Sequence, residues 1–420
     1  MKSFAELGVR PRTLETLHRL RLESPTEVQS AAIPLLHEGR DCLIQSPTGS
    51  GKTLAFLIPM VEKLRGHQRS AARALIISPT RELATQTAAV LAQLDPGLRR
   101  ALVFGGVGYA GQISSLAGAD VIIGCPGRLV DLSDRGAANL GGVEFLVLDE
   151  ADEMLDAGFA KDVEKLVART RQHTASGRRQ TVLASATMPD WVTRMAAKHM
   201  VEPARVEVAP ATESQLEHGL FSVTRAQKVA VLSRLLKRSD STIVFHRTKH
   251  GTKKLVRDLL ALGHATSELQ GNLSQPARDK AIAAFRRRET SVLVATNVAA
   301  RGIDVVDVDL VINYELPDTA DWLTHRVGRT ARNGAPGRAL TFMSEDDGEK
   351  WRKLRRLGAP ALEFVDTDQL LSQGTMRFLA HKSEPEPSPG AALRSGSVST
   401  PHRPYRGPAR PARQHGRGGR

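Results

Sequence analysis

Residues 145–155 read FLVLDEADEML. Phe145 to Leu148 is an unbroken apolar run, and Asp149 follows with no turn residue between. A short run of this kind fits a strand buried on both faces. Carboxylates then crowd into Asp149, Glu150, Asp152 and Glu153. Like charges this close perturb one another's pKa, so the cluster needs a purpose. The start of a solvated helix, a metal site and a catalytic centre all stand open. Acids opening a helix gain ~0.3–1 kcal/mol from its dipole. That accounts well for Glu153 as a solvated helix residue and poorly for Asp149, which ends the apolar run.

The same pattern recurs on both sides. Apolar runs read as strands at CLIQS (42–46), ALIISP (74–79), ALVF (101–104), DVIIG (120–124), EFLVLD (144–149) and TVLAS (181–185). Helix-like stretches such as LAFLIPMVEKL and RELATQTAAVLAQL separate them. After a less regular stretch around 208–219, strands return at TIVFH (242–246), SVLVAT (291–296), DLVINY (309–314) and RALTFM (338–343). Near-continuous apolar strands alternating with helices predict parallel sheets covered on both faces. The expected organisation is two α/β domains, 1–208 and 216–368, joined by a linker at 209–215. Residues 369–420 form a tail, and from 382 its Pro, Gly, Ser and Arg cannot bury enough apolar surface to fold alone.

Composition narrows the function. The 420 residues are 41% hydrophobic, enough for real cores. No apolar run approaches the ~20 residues of a membrane span, and MKSFAELGVR lacks a signal-peptide core. Two cysteines, Cys42 and Cys125, make no disulfide framework, and no Cys/His spacing suggests zinc. A reducing, cytoplasmic setting without membrane contact is the expectation. Net charge is +14 and the pI about 10.1, which favours a polyanionic partner, nucleic acid first. Residues 382–420 carry eight Lys/Arg against two Glu, a net +6.

After the strand CLIQS comes SPTGSGKT (46–53). The general phosphate-loop template asks for Gly where Ser46 stands. The working parts are nevertheless present. Gly49 and Gly51 allow tight turns, and a helix starts at once, so backbone N–H groups face an anion. Lys52 supplies a cation for β/γ-phosphates, and the Thr53 hydroxyl can ligate Mg²⁺. In open α/β sheets ligands bind beyond the carboxyl ends of strands. Lys52 and Asp149 both sit past such ends, so Asp149 can reach the same Mg²⁺, and Glu150 is placed to orient or deprotonate water.

Asp149-Glu150-Ala151-Asp152 resembles the signature of the DEAD-box ATP-dependent RNA helicases, and SPTGSGKT resembles that family's own phosphate loop. Further motifs follow in family order over roughly residues 4–345. The resemblance implies two tandem RecA-like domains, with ATP and Mg²⁺ as cofactors and structured or duplex RNA as a partner read with little sequence specificity. It implies ATP contacts from Phe4, Gln29, Ser46, Thr48, Gly49, Ser50, Gly51, Lys52, Thr53 and Asp304. Phe4 would stack on adenine, Gln29 would read its edge, and Asp304 would meet the ribose.

PTRELA (79–84), Gly105-Gly106 and CPGRL (125–129) resemble RNA-contacting motifs of the first domain, with Arg81, Gly106 and Arg128 at the backbone. VFHRT (244–248), Gln275 with Arg278, and Thr296 resemble those of the second, with Arg247 and Arg278 on phosphates. Cys125 stands where the family usually has Thr, and a thiol is a poorer donor. Asn297 stands where Asp is common, with no special role assigned, and Ala331 replaces a frequent Gly.

HRVGRTAR (325–332) matters most. Arg329 and Arg332, three apart, would share a helix face and act as fingers on the γ-phosphate, a device worth about 10³–10⁵ in rate. His325 would sit near the water and the acids. Asp152, Ser185, Thr187 of the SAT sequence and Arg326 would couple the nucleotide and RNA sites. Fingers and acids lie in different domains, so ATP and RNA would each favour closure and one another's binding. The tail resembles arginine- and glycine-rich extensions that tether RNA, with protein partners as its other use. A monomer is expected. The competing readings are a DNA helicase of the same build, an ATP-gated RNA clamp and a motor translocating along RNA.

Overall fold

The computed structural model describes residues 2–47, 49–66, 71–170, 173–174, 177–209, 216–300, 308–331 and 337–365, without the side chains of 173, 174, 298, 321 and 325. Thr48, Asp304 and Arg332, the expected linker past 209 and the tail past 365 therefore lie outside the described residues.

The first sheet is built from β1 (Cys42–Gln45), β2 (Ala74–Ile77), β3 (Arg100–Val103), β4 (Val121–Gly124) and β5 (Phe145–Asp149). A small antiparallel hairpin, β6 (His173–Thr174) with β7 (Gly177–Arg178), precedes β8 (Gln180–Ser185) and β9 (Ala204–Glu207), which complete the sheet. Helices α1 (Pro11–Arg19) and α2 (Glu27–His37) precede β1. Then come α3 (Lys52–Leu64), α4 (Arg81–Leu94), α5 (Tyr109–Leu116), α6 (Pro126–Asp134), α7 (Ala151–Asp156), α8 (Ala160–Arg169) and α9 (Asp190–His199). The strand order is β3-β4-β2-β5-β8-β1-β9, every pair parallel.

Both faces of this sheet are covered, as the apolar strands require. In β5, Phe145 and Val147 join one buried cluster, with Ile44, Ile76 and Val182. Leu146 and Leu148 join the other, with Leu43, Leu75 and Leu183. Successive side chains of a strand point to opposite faces, so a strand apolar at every position is apolar for two cores.

The second sheet is built from β10 (Leu216–Ser222), β11 (Thr242–His246), β12 (Thr266–Leu269), β13 (Val292–Thr296), β14 (Leu310–Asn313), β15 (Gly337–Met343) and β16 (Glu363–Val365). Its order is β12-β13-β11-β14-β15-β10-β16, again parallel. Helices α10 (Lys228–Leu236), α11 (Lys249–Ala261), α12 (Gln275–Arg286), α13 (Asn297–Ala300), α14 (Ala320–Val327) and α15 (Gly348–Arg356) accompany it. Every expected strand is present within a residue or two. Besides the small β6–β7 hairpin, the strands sequence reading missed are β9, β10, β12 and β16, which lie at or next to a sheet edge. Half-exposed edges carry no continuous apolar run (β9 alternates buried and exposed), so a partner rather than composition makes them strands. No helix among the described residues is long and apolar enough to cross a membrane.

Candidate active site

The phosphate loop connects β1 to α3. Gly49 and Gly51 adopt φ of 87° and 101°, a region glycine enters without steric cost. At Gly51 space is decisive as well: a Cβ there would lie 2.5 Å from Gln29 Nε2 and 2.8 Å from Thr26 Oγ1. Lys52 opens α3 and is only 5% exposed. Its ammonium donates to the Ser46 and Pro47 carbonyls, at 2.6 and 3.1 Å, and lies 3.7 Å from Glu150 Oε1. The Ser46 and Ser50 hydroxyls are 2.6 Å apart. Thr53 is the second residue of α3 and half-buried.

Strand order assembles the rest. β5, β8 and β1 are neighbours, so Asp149 and Ser185 end parallel strands beside the one that Ser46 directly follows, and Ser46 N–H donates to the Ser185 carbonyl at 3.1 Å. Asp149 is 2% exposed, and its Oδ2 has no hydrogen-bond partner. Its pKa is pushed up to about 7, by burial first and the Glu150 charge next, with Lys52 acting against them. Glu150 has φ 51° and ψ 57° at the N-cap of α7. A left-handed non-glycine residue costs on the order of 1–3 kcal/mol and gathers at functional sites.

Asp152 links this end to the SAT sequence. Its N–H donates to Ser185 Oγ at 3.2 Å, and its Oδ2 accepts from both the N–H and the hydroxyl of Thr187 at 2.8 Å. Glu153, expected as a solvated helix residue, is instead 3% exposed. It lines a small cavity with Asn297, Trp322, Arg326 and Arg329 of the second half. The acids therefore fill four different environments.

Among the described residues, no group of three or more His, Cys, Asp or Glu is arranged to hold a metal. Mg²⁺ at a phosphate site needs fewer protein ligands, since one or two carboxylates suffice beside phosphate and water oxygens. The buried, unpartnered Asp149 oxygen fits that donor pattern.

The adenine motif is tied to the loop from behind. Gln29 Oε1 accepts from Thr26 N–H at 3.0 Å, closing a capping box on α2, and Nε2 donates to the Gly51 carbonyl at 3.1 Å. Gln29 thus braces the loop it was expected to serve from the base side. Phe4 differs from expectation: at 4% exposure it packs among Leu7, Val9 and Leu17, leaving little ring face open. Leu7 and Val9 of the same segment are buried with the ring, while Ser3, Ala5, Glu6 and Gly8 stay exposed.

In the second half, β11 and β13 pair so that His246 lies opposite Thr296. Thr296 is 6% exposed, and Arg247 is exposed, with its N–H on Glu315 Oε2 at 2.9 Å. Arg326 is 2% exposed. Its guanidinium donates to Asn297 Oδ1 at 2.6 Å, Asn313 Oδ1 at 3.0 Å and the Glu315 carbonyl at 2.9 Å. Asn297, given no role from sequence, is therefore one of the acceptors that hold Arg326; the signal was the buried cation's need for acceptors. The shared helix face expected for Arg329 and Arg332 is corrected. α14 ends at Val327 with Gly328 as its C-cap, so Arg329, 5% exposed, lies beyond the helix. His325 is on α14, its side chain outside the described residues. Ala331 takes φ 55°, so its replacement of glycine carries strain of roughly 1–2 kcal/mol.

Two of the expected RNA contacts are engaged across the halves. Arg81 Nη1 donates to Gln275 Oε1 at 2.7 Å, while its Nε and Nη2 lack partners. Arg278, expected on phosphate, instead places Nε and Nη2 on Glu82 Oε1 at 3.0 and 2.6 Å. A carboxylate at the start of α4 is the nearer anion for that fork. Arg128 donates to the Val107 carbonyl at 3.0 Å. Cys125, the N-cap of α6, makes no side-chain cap bond. Burial pushes both its thiol and that of Cys42 up to about 12, so neither is a thiolate nucleophile at neutral pH.

Two parallel α/β sheets, one with a phosphate loop and a carboxylate cluster at neighbouring strand ends, define a two-part nucleotide-binding core. The DEAD/DEAH box helicase family model matches residues 26–195, and the helicase conserved C-terminal domain matches residues 227–334. The ATP-dependent RNA helicase DeaD of Mycobacterium tuberculosis is 39% identical over 348 residues, 81% of this chain and 61% of that relative. The ATP-dependent RNA helicase RhlB of Vibrio campbellii is 38% identical over 358 residues, 82% of this chain and 81% of that one. The structure of S. cerevisiae Dbp5 bound to RNA and ADP BeF3 superposes with a TM-score of 0.78 at 31% identity, covering 88% of this chain and 97% of that one. The chain belongs to the DEAD-box helicase family, and it spans 61% of the mycobacterial relative's length.

Proposed function

We propose that the chain is an ATP-dependent RNA helicase, in which RNA-stimulated ATP hydrolysis drives local duplex opening or remodelling of RNA–protein assemblies. One observation carries this reading: Lys52, Glu150, Asp149, Ser185 and Asp152 are all buried at adjacent strand ends, with Lys52 3.7 Å from Glu150 and Asp152 bonded to Ser185 and to the half-buried Thr187. Lys52 moves its donors from the loop carbonyls to β/γ-phosphate oxygens, and Glu150 orients and deprotonates the attacking water. Asp149 and Thr53 would hold Mg²⁺, which neutralises charge on the phosphates when bound. Arg329 and Arg332 stabilise the transferring phosphoryl group from the second half, with His325 beside the acids. Asp152 reports the nucleotide's state to Thr187, and Arg326 keeps α14 in place. Arg81, with two unpartnered donors, takes RNA phosphate together with Gly106, Arg128, Arg247 and Thr296. The two working halves are residues 1–208 and 216–368.

The deciding measurement is phosphate release with ATP or GTP, in the presence of RNA or single-stranded DNA of equal length. ATP with RNA should stand well above the other combinations. Equal stimulation by DNA would replace the RNA reading with a DNA one, and no stimulation by either would overturn both. Deleting residues 382–420 should weaken RNA binding and flatten its salt dependence, because the eight Lys/Arg removed neutralise phosphates. A titration at several salt concentrations checks this, and an unchanged slope would assign the tail to another partner.

A further inference from the structure

The loop after β3 and the start of α5 expose apolar side chains that no stated role absorbs. Val107 is 40% exposed, Tyr109 38% and Ile113 42%. Tyr109 and Ile113 are four residues apart on α5, so they share a face. The loop is held from inside. Gln112, 7% exposed, bonds both the N–H and the carbonyl of Phe104, at 3.0 and 3.2 Å, and donates to the Gly108 carbonyl at 3.2 Å. This apolar face is therefore presented on a braced support.

Two guanidiniums stand against the Tyr109 ring, Arg128 at 4.1 Å and Arg135 at 4.6 Å from its centroid. Arg128 is also tied to the loop through the Val107 carbonyl at 3.0 Å. On the other side, Arg81 lies 4.3 Å from the Phe104 ring, and a Cβ on Gly106 would come within 3.0 Å of Arg81 Nη1. The cations and rings thus continue without a gap from Arg81, past Gly106, to Arg135. Asp131 accepts from Arg135 at 2.8 Å and lies 3.8 Å from Arg128. Its charge leaves the Arg128–Arg135–Asp131 group at a net +1, enough for one phosphate and far short of a general anion patch.

We propose that Tyr109 and Arg135, with Arg128, form a subsite for one unpaired RNA nucleotide next to the Arg81–Gly106 contact. Arg135, whose side chain is 57% exposed, swings from the Tyr109 ring to the adjoining phosphate, and the base stacks in the place it leaves. This rests on the RNA reading given above. An aromatic face beside guanidinium, continuous with a phosphate-binding loop, is the surface single-stranded nucleic acid uses without reading sequence. A purely apolar protein partner would not need the two cations.

The test is binding of labelled oligouridylates of increasing length to the full chain, with Tyr109→Ala, Tyr109→Phe and Arg135→Ala. These side chains are exposed, and matching melting curves will show that the variants fold. For oligomers too short to extend past Arg81 and Gly106, all four proteins should bind alike. For longer ones Tyr109→Ala should lose about tenfold in affinity, Tyr109→Phe should retain it, and Arg135→Ala should lower the salt slope by about one. Wild-type RNA binding with unchanged Tyr109→Ala and Arg135→Ala overturns the subsite alone. A wild type that binds no RNA overturns the RNA reading and the subsite with it.

Discussion

Lys52→Ala is expected to abolish ATP hydrolysis, with RNA-stimulated turnover falling by at least about 10²–10³, the scale of removing one preorganised charge-stabilising donor. The ammonium is buried, held by the Ser46 and Pro47 carbonyls and 3.7 Å from Glu150. Its positive charge lies against Glu150 and opposes the upward shift of the Asp149 pKa. Removing it strips the phosphates of a cation and leaves Glu150 and Asp149 less compensated. Arginine will not restore it, because a planar fork does not replace a compact ammonium between two backbone carbonyls. Phosphate release at saturating RNA measures the effect. Near-normal turnover in a folded variant would remove the phosphate-loop assignment.

Glu150→Gln should separate binding from chemistry. The variant keeps the shape of the side chain and the φ of 51° at that residue, so the strand end and α7 should hold. ATP and RNA should still bind and draw the halves together. The water then lacks its base, and turnover should fall by about 10²–10⁴, leaving RNA bound and slowly released. Single-turnover hydrolysis with an RNA off-rate distinguishes this from a folding defect. Glu150→Gly serves as the control. It relieves the left-handed strain yet removes the carboxylate, so it should melt no lower than wild type and still be inactive. Unchanged hydrolysis in Glu150→Gln would reassign the base.

Much of this site was legible because its signals are local. Apolar runs long enough to be buried on both faces marked β5, β1 and β8, and the residues directly after them are the ones that meet. The edge strands β9, β12 and β16 were not legible, although the edge strand β3 was, because β12 (TSEL) and β16 (EFV) carry no pattern that a loop could not carry. Side-chain partners were the least legible. Glu153 looked like one more acid on a solvated helix start, Phe4 like a ring that stacks on adenine, and Asn297 like a tolerant position. Their settings depend on residues far away in the chain: Glu153 shares a cavity with Arg329, Phe4 packs with Leu17, and Asn297 holds Arg326.

By itself, the sequence determined the two parallel sheets, the phosphate loop, the acids beyond a strand end and the order of the motifs, since periodicity and turn chemistry act over a few residues. Only the tertiary structure decided which strand ends are neighbours. The order β5-β8-β1 brings Asp149, Ser185 and Ser46 side by side. It also decided that Arg278 meets Glu82 rather than standing free, and that α14 stops before Arg329. The physical reason is that hydrogen bonds and ion pairs between distant segments are set by strand order and by the packing of two halves, which no local stretch encodes. FLVLDEADEML names the acids of the site; strand order gives each of them its partner.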